Sequence, residues 1–216
     1  MDNDRHLQSA VMAELAWEPS IKAAHIGVTA ASGVVTLTGH VSSFAQKHAA
    51  DEAARRVKGV RAVAEEIEVR LSPETTRADD EIAAAAVERL SWNAEVPRDA
   101  VKISVADGWV TLTGEVAWQF QRAIVEQDLR RLHGVIGLSN DITIQPQVNV
   151  DILSDDITHA LHRSWFFDPK LVEVTARGGA IRLTGVVHTL HDRNLAAITA
   201  WSTPGVTHVD NDIAVV

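Results

Sequence analysis

The sequence predicts an α+β protein made of three tandem small modules, each with the order helix, strand, strand, helix, strand. The main observation is a heptapeptide, Gly-Val-Val-Thr-Leu-Thr-Gly at 33–39, which returns at 108–114 and, more loosely, at 179–185. The copies are 75 and 71 residues apart, a period that corresponds to a whole small domain. Helical and alternating apolar patterns recur at the same places around each copy. We therefore expect three modules, at 1–72, 73–148 and 149–216.

An amphipathic helix is predicted to open each module. Apolar residues fall at i, i+4 and i+8, which places them in one stripe along a helix. Acidic residues crowd the start of the second and third of these helices, where they suit the positive end of the helix dipole. The stripes consist of Leu7, Val11 and Leu15, then Ile82, Ala86 and Leu90, then Ile157, Leu161 and Trp165.

A β-hairpin follows each opening helix. Apolar residues alternate with polar or small ones on both sides of a short turn, which is typical of strands with one buried face. The turns carry Ser32-Gly33, Asp107-Gly108 and Gly178-Gly179, and glycine supplies the positive φ that tight hairpin turns need.

A second helix and a last strand complete each module. We predict the helices at about 43–57, 118–132 and 189–202, each stopped by a glycine, and the strands at about 60–69, 135–144 and 206–215. A strand-helix-strand connection is expected to be parallel and right-handed. Each module is therefore predicted to pack two helices on one face of a three-stranded mixed sheet, with the other face open to water.

Composition limits the classes of function. The net charge of −9 argues against nucleic-acid binding, and the absence of cysteine excludes disulfides and zinc-thiolate sites. No stretch reaches the length of a transmembrane helix. The first residues do not resemble a secretory signal, so the chain as written is expected to be cytoplasmic, or periplasmic if a signal has been removed.

The repeated pattern Gly-x-Val-x-Leu-Thr-Gly, helix, Gly-Val-x-x-Val, Ile-x-Val resembles the BON domain, the module of bacterial osmotically induced periplasmic proteins. The resemblance covers nearly the whole chain and implies a non-enzymatic osmotic-stress or envelope role, with binding to phospholipid or protein. Many members carry a signal or lipid anchor, which is not evident here, and Glu65 stands where the other modules have Asn140 and Asn211. The matching positions are Gly33, Val35, Leu37, Gly39, Gly59, Val60, Val63, Ile67 and Val69, and their equivalents in the later modules.

Large apolar residues at outward positions are the first candidates for a contact surface. Trp201, Ile198 and Phe166 stand where the other modules have polar or small residues, and Trp109 and Trp118 are particular to the second module. They fit packing against a neighbouring module, contact with a second copy of the chain, or contact with a membrane or another partner. By contrast, Trp17, Trp92 and Phe167 recur at the ends of the first helices, and we interpret them as core.

Basic residues at the ends of the second helices form a second candidate surface. They either complement the helix dipole or contact an anionic head group or phosphate. The first interpretation is the simpler one. These residues are Arg55, Arg56, Lys58, Arg130 and Arg131.

Histidines of the third module raise the hypothesis of a metal or small-ion sensor. His159 and His162 are three residues apart on a predicted helix, and His188 and His191 begin the next helix. Neither pair matches an established ligand motif, and solvated surface is the alternative. The sequence contains no nucleophile elbow or phosphate loop and predicts no cofactor. We therefore expect a binding or scaffolding protein, with a peripheral membrane binder or an ion sensor as alternatives.

Overall fold

A computed structural model describes residues 2–145, 172–177, 179–203 and 206–216. In these residues, nine strands form three separate three-stranded sheets, one in each module. This confirms the predicted α+β class with three modules. The opening helix predicted for the third module lies outside the described residues.

The first module follows the predicted order of elements. Its long opening helix is joined to the hairpin by one turn of 3₁₀ helix at Ala23–His25. The elements are α1 (Asp2–Trp17), β1 (Ile26–Ala31), β2 (Val34–Val41), α2 (Phe44–Arg56) and β3 (Ala62–Val69).

The second module repeats this order, and the described residues of the third module give its last four elements in the same order. In the second module the elements are α3 (Asp79–Ser91), β4 (Val101–Ala106), β5 (Trp109–Val116), α4 (Gln119–Leu129) and β6 (Gly137–Ile144). In the third module they are β7 (Val172–Arg177), β8 (Ala180–Val187), α5 (Leu190–Trp201) and β9 (His208–Val215).

The middle strand of every sheet pairs antiparallel with the strand before it and parallel with the strand after it. The register is the same in all three modules. Gly39 faces Ile26, Gly114 faces Val101, and Gly185 faces Val172 at the end of each hairpin. The parallel strand follows a helical crossover, as predicted.

Glycine is required where the hairpin meets the preceding turn. Gly39 has φ +110°, and a Cβ atom there would clash with the backbone carbonyl oxygen of His25. Gly114 has φ +135° and meets the carbonyl oxygen of Ala100 in the same way. The repeated glycine is therefore a steric requirement of the fold, since both the backbone angle and the space exclude a side chain.

Each last strand is tied to its second helix by a polar contact. In the second module the Asn140 side chain donates to the Arg122 carbonyl oxygen at 3.2 Å, and the Arg122 guanidinium donates to the Asn140 carbonyl oxygen at 2.9 Å. Asn211 and Arg193 make the same reciprocal pair. In the first module Glu65 stands in this place, with Lys47 Nζ 3.9 Å from its carboxylate. Partial burial is the main cause that raises the pKa of Glu65.

Modules one and three share a single hydrophobic core. Helices α2 and α5 pack against each other, and the buried residues of both modules form one continuous cluster. Several buried positions of these two helices hold alanine. They are Ala50, Ala53 and Ala54 on α2 and Ala196 and Ala200 on α5. The second module has its own core, against which Phe44 of α2 packs. Glu52 is the one exposed residue of α2.

The glycine requirement is tested by Gly39→Ala, with Gly59→Ala as the matched control. Both positions have positive φ, but a Cβ at Gly59 would lie 3.6 Å from the nearest atom, Leu7 Cδ1. We expect Gly59→Ala to cost about 1 kcal/mol of unfolding free energy from backbone strain alone. Gly39→Ala should cost about 3 kcal/mol or more because the clash adds to the strain. Equal urea midpoints for the two variants would contradict this explanation.

Glu65→Asn restores the side chain that the other modules use and should stabilise the first module by about 1 kcal/mol at neutral pH. Because the folded-state pKa of Glu65 is raised, its contribution to stability is present at acid pH and is lost as the pH rises through that pKa. The gain from Glu65→Asn should therefore be largest near pH 7 and shrink below about pH 4. Urea unfolding at both pH values checks the sign. A gain that grows on acidification would show that burial of the carboxylate is not the cause.

Candidate functional site

Two tryptophans interpreted from the sequence as core are among the most exposed side chains in the described residues. Trp17 is 85 % exposed and Trp92 is 81 % exposed. They occupy equivalent positions, 75 residues apart. The core interpretation of these two residues is therefore wrong, while the third equivalent, Phe167, lies outside the described residues.

The helical geometry explains this error. Leu15 ends the buried stripe of α1, and Trp17 follows two residues later. Two residues correspond to about 200° of rotation around an α-helix, which points the side chain to the opposite face. The same spacing separates Leu90 from Trp92. The spacing of two residues from the last apolar residue of each stripe is therefore the sequence signal that these side chains lie on the surface.

Trp92 borders an apolar groove between the end of α3 and the edge strand β4. The groove has a volume of about 690 Å³. Its apolar lining comes from Val87, Leu90, Trp92, Val96, Pro97, Val101 and Ile103, and its polar lining from Ser91, Arg98 and Asp99. Among the described strands, β4 pairs with β5 on one side alone, so the strand beside this groove lies at the edge of its sheet.

The first module closes the corresponding place. Ile26 and Val28 of β1 are buried, and the side chain of Gln8 on α1 donates to the Val28 carbonyl oxygen at 2.7 Å. In the second module the equivalent residues Val101 and Ile103 are only half-buried. The two modules thus share the exposed tryptophan, but the open groove belongs to module two.

The apolar candidates of the third module divide into different environments. Trp201 is half-buried and packs against the core shared by modules one and three. Ile198 is 52 % exposed. Phe166 lies outside the described residues. The structure therefore packs Trp201 against the shared core and leaves Ile198 at the surface.

The tryptophans particular to the second module are not neighbours on one surface element. Trp109 is 48 % exposed, and its indole N–H donates to the Ser139 hydroxyl at 3.0 Å across the sheet. Trp118 is half-buried at the start of α4, where its backbone N–H donates to the Gln121 side chain at 3.1 Å. Phe120, which was not among the predicted contact residues, is exposed two residues after Trp118.

Two of the five basic candidates already contact acidic groups. Arg55 donates to Asp51 at 2.6 Å, and Arg56 donates to Glu14 at 2.9 Å, which ties α2 to α1. His48, hydrogen-bonded to Glu52, is the main cause that lowers the pKa of Glu52, and the Arg130 charge contributes. Arg130 therefore lies near α2. Lys58 and Arg131 are exposed.

The histidine candidates receive no added support from the described part of the chain. His188 and His191 are exposed at the start of α5, whereas His159 and His162 lie outside the described residues. Within the described ranges, no three histidine or acidic side chains are arranged to hold a metal ion. None of the helices described is both long and apolar enough to cross a bilayer.

Trp201→Ala tests how much Trp201 contributes to the core that modules one and three share. Truncating this half-buried ring should lower the unfolding free energy by about 2 kcal/mol, because apolar contact with the shared core is lost. Ile198→Ala on the same helix is the control and should change it by about 0.5 kcal/mol or less, as at other exposed sites. Thermal melts of both variants measure the difference. Unchanged stability of Trp201→Ala would place its role at an external partner.

Comparisons with known proteins agree with this architecture. The BON domain family model matches three times, over residues 3–70, 78–146 and 149–216. Osmotically-inducible protein Y of Escherichia coli (strain K12) is 32% identical over 148 residues, which cover 65% of this chain and 72% of that protein. These similarities support a bacterial protein related to osmotic stress, and BON domain proteins of this kind are not known as enzymes.

Solved structures give only distant likenesses. CdsD, a structural protein of the type III secretion system of Chlamydia trachomatis, is 16% identical with a TM-score of 0.27, over 96% of this chain and 91% of that one. Its C-terminal domain gives the same identity and TM-score. Three matched segments and one heptapeptide repeated at each hairpin identify the relationship: the chain belongs to the BON domain family.

Proposed function

We propose that this chain is a non-enzymatic binding or scaffolding protein of osmotic stress that contacts protein or phospholipid surfaces through the first helices of its modules. The observation that carries the proposal is the pair of exposed tryptophans, Trp17 and Trp92, at equivalent positions of two modules. Both are followed by a turn that leaves the ring uncovered. Repetition along one chain allows two contacts to act together if both reach the same surface.

Physical chemistry favours contact surfaces at these residues. A bare tryptophan keeps a large apolar area in water, and contiguous exposed apolar area marks contact sites in soluble proteins. Met12 and Val87, which are also equivalent, are exposed on the same two helices. The apolar groove beside Trp92 adds a concave surface that an apolar side chain can fill.

Charge influences which surface is favoured. The chain carries a net charge of −9, so a strongly anionic bilayer repels it as a whole. Arg55 and Arg56 are engaged with acidic side chains of their own module. Apolar and aromatic contact with a protein surface or a neutral phospholipid interface is therefore favoured over charge-driven attachment.

The third-module wedge of Trp201, Ile198 and Phe166 is the weaker alternative for a membrane contact. Trp201 packs against the shared core, so inserting its ring into a bilayer would first require removing it from that core. Ile198 alone offers little apolar area. A second copy of the chain is another protein surface that the exposed tryptophans could contact.

The double variant Trp17→Ala and Trp92→Ala tests the proposal. We expect it to lose at least about tenfold in affinity for zwitterionic phosphatidylcholine vesicles or for itself, because two anchoring rings are removed together. Trp109→Ala, which removes another exposed indole, is the control and should bind as the unmodified chain does. Vesicle sedimentation and analytical ultracentrifugation measure the two associations. Equal association of the unmodified chain, the double variant and Trp109→Ala in both assays would contradict the proposal.

A further inference from the structure

Four basic side chains converge at one end of the first sheet. They line a cavity of about 270 Å³ near the start of α2. Each comes from a different segment: the turn after α1, the 3₁₀ turn, the end of β2 and the residue after β3. The lining residues are Lys22, His25, His40, Val41, Ser42, Gln46 and Arg70.

The backbone register brings these groups together. Because Ile26 pairs with Gly39 in the antiparallel hairpin, His25 lies opposite His40, and their rings stack with centroids 4.8 Å apart. The backbone N–H of Arg70 donates to the Val41 carbonyl oxygen at 2.8 Å, which holds Arg70 beside the end of β2. The backbone N–H of His25 donates to the Lys22 carbonyl oxygen at 3.1 Å and closes the turn.

The shared fold does not require basic residues at these places. In the second module the four equivalent positions hold Pro97, Ala100, Glu115 and Gln145, yet the strands pair in the same register. Four differences between the modules therefore meet at one cavity. The pairing of the strands does not require these four residues, whereas one ligand bound in the cavity would account for all of them.

The charges around the cavity are incompletely balanced. Arg70 Nη2 lies 2.7 Å from the Glu68 carboxylate, and the hydrogen bond from Arg70 is the main cause that lowers the pKa of Glu68. No carboxylate lies within ion-pair distance of Lys22 or His25 among the described residues. The positive end of α2 adds to the same field. An anion in the cavity would relieve this repulsion.

We propose that this cavity binds a small soluble phosphate-type oxyanion through the charges of Lys22 and Arg70 and the imidazole nitrogens of His25 and His40. A bilayer phosphate is disfavoured because Glu68 is exposed beside Arg70 and the whole chain is anionic. Imidazole N–H groups donate hydrogen bonds to oxyanions, and bonds to a charged acceptor are stronger than neutral ones. The two rings therefore add donors to the two charged groups that converge on the cavity.

Inorganic phosphate is the probe, titrated calorimetrically into the full chain at constant ionic strength. We expect saturable binding of one phosphate per chain. The double variant His25→Gln and His40→Gln should weaken this binding, and Lys22→Met should weaken it about tenfold. Lys102→Met removes an exposed lysine from the second module and is the matched control for net charge.

Folding is separated from binding by two further measurements. Lys22→Arg keeps the charge and should retain phosphate binding, and all variants should melt at the same temperature in phosphate-free buffer. Equal phosphate affinity of the unmodified chain and Lys22→Met would overturn the proposal. So would binding to phosphatidic acid vesicles without any binding of free phosphate, since that result would assign the site to a membrane surface.

Discussion

The close packing of α2 is the constraint on which the arrangement of the modules depends. This helix covers its own sheet, contacts α5 of the third module and carries Phe44 against the core of the second. Alanine at its buried positions lets neighbouring elements approach closely, because a larger side chain would have no free volume to occupy. The second helix of module two, α4, covers its sheet on one side and is exposed on the other. Its equivalent in module one, α2, is an interior element shared with module three.

Divergence between the modules has kept the cores and changed the polar contacts around them. In the first module Arg56 of α2 pairs with Glu14 of α1. In the second module the charges are reversed, since Arg89 of α3 pairs with Asp128 of α4. Each pair links the first helix of its module to the second helix. Surface ion pairs of this kind contribute little individually, so they can be replaced while the apolar packing between the helices is retained.

The sequence predicted most of the fold because its signals are local. The glycine heptapeptide and the apolar periods identified the hairpins and second helices, and the stripe Leu7, Val11 and Leu15 is buried as a stripe should be. Trp17 and Trp92 were interpreted as core because they recur at equivalent positions. Their rotation around the helix, away from the buried stripe, instead places them on the surface. The pairing of α2 with α5, and the meeting of His25 with His40, join segments through the folded backbone. No periodicity in the chain encodes such proximity directly.

The shared core of modules one and three also determines how the molecule would carry mechanical load. Tension applied at the two ends of the polypeptide would meet the α2–α5 contact before it stretched the segments that lead into and out of the middle module. Module two, which Phe44 of α2 contacts, would carry little of that tension until the helix contact ruptures. A partner bound at Trp92 would experience little of this tension, whereas a partner bound at Trp17 would be attached to a module that carries it.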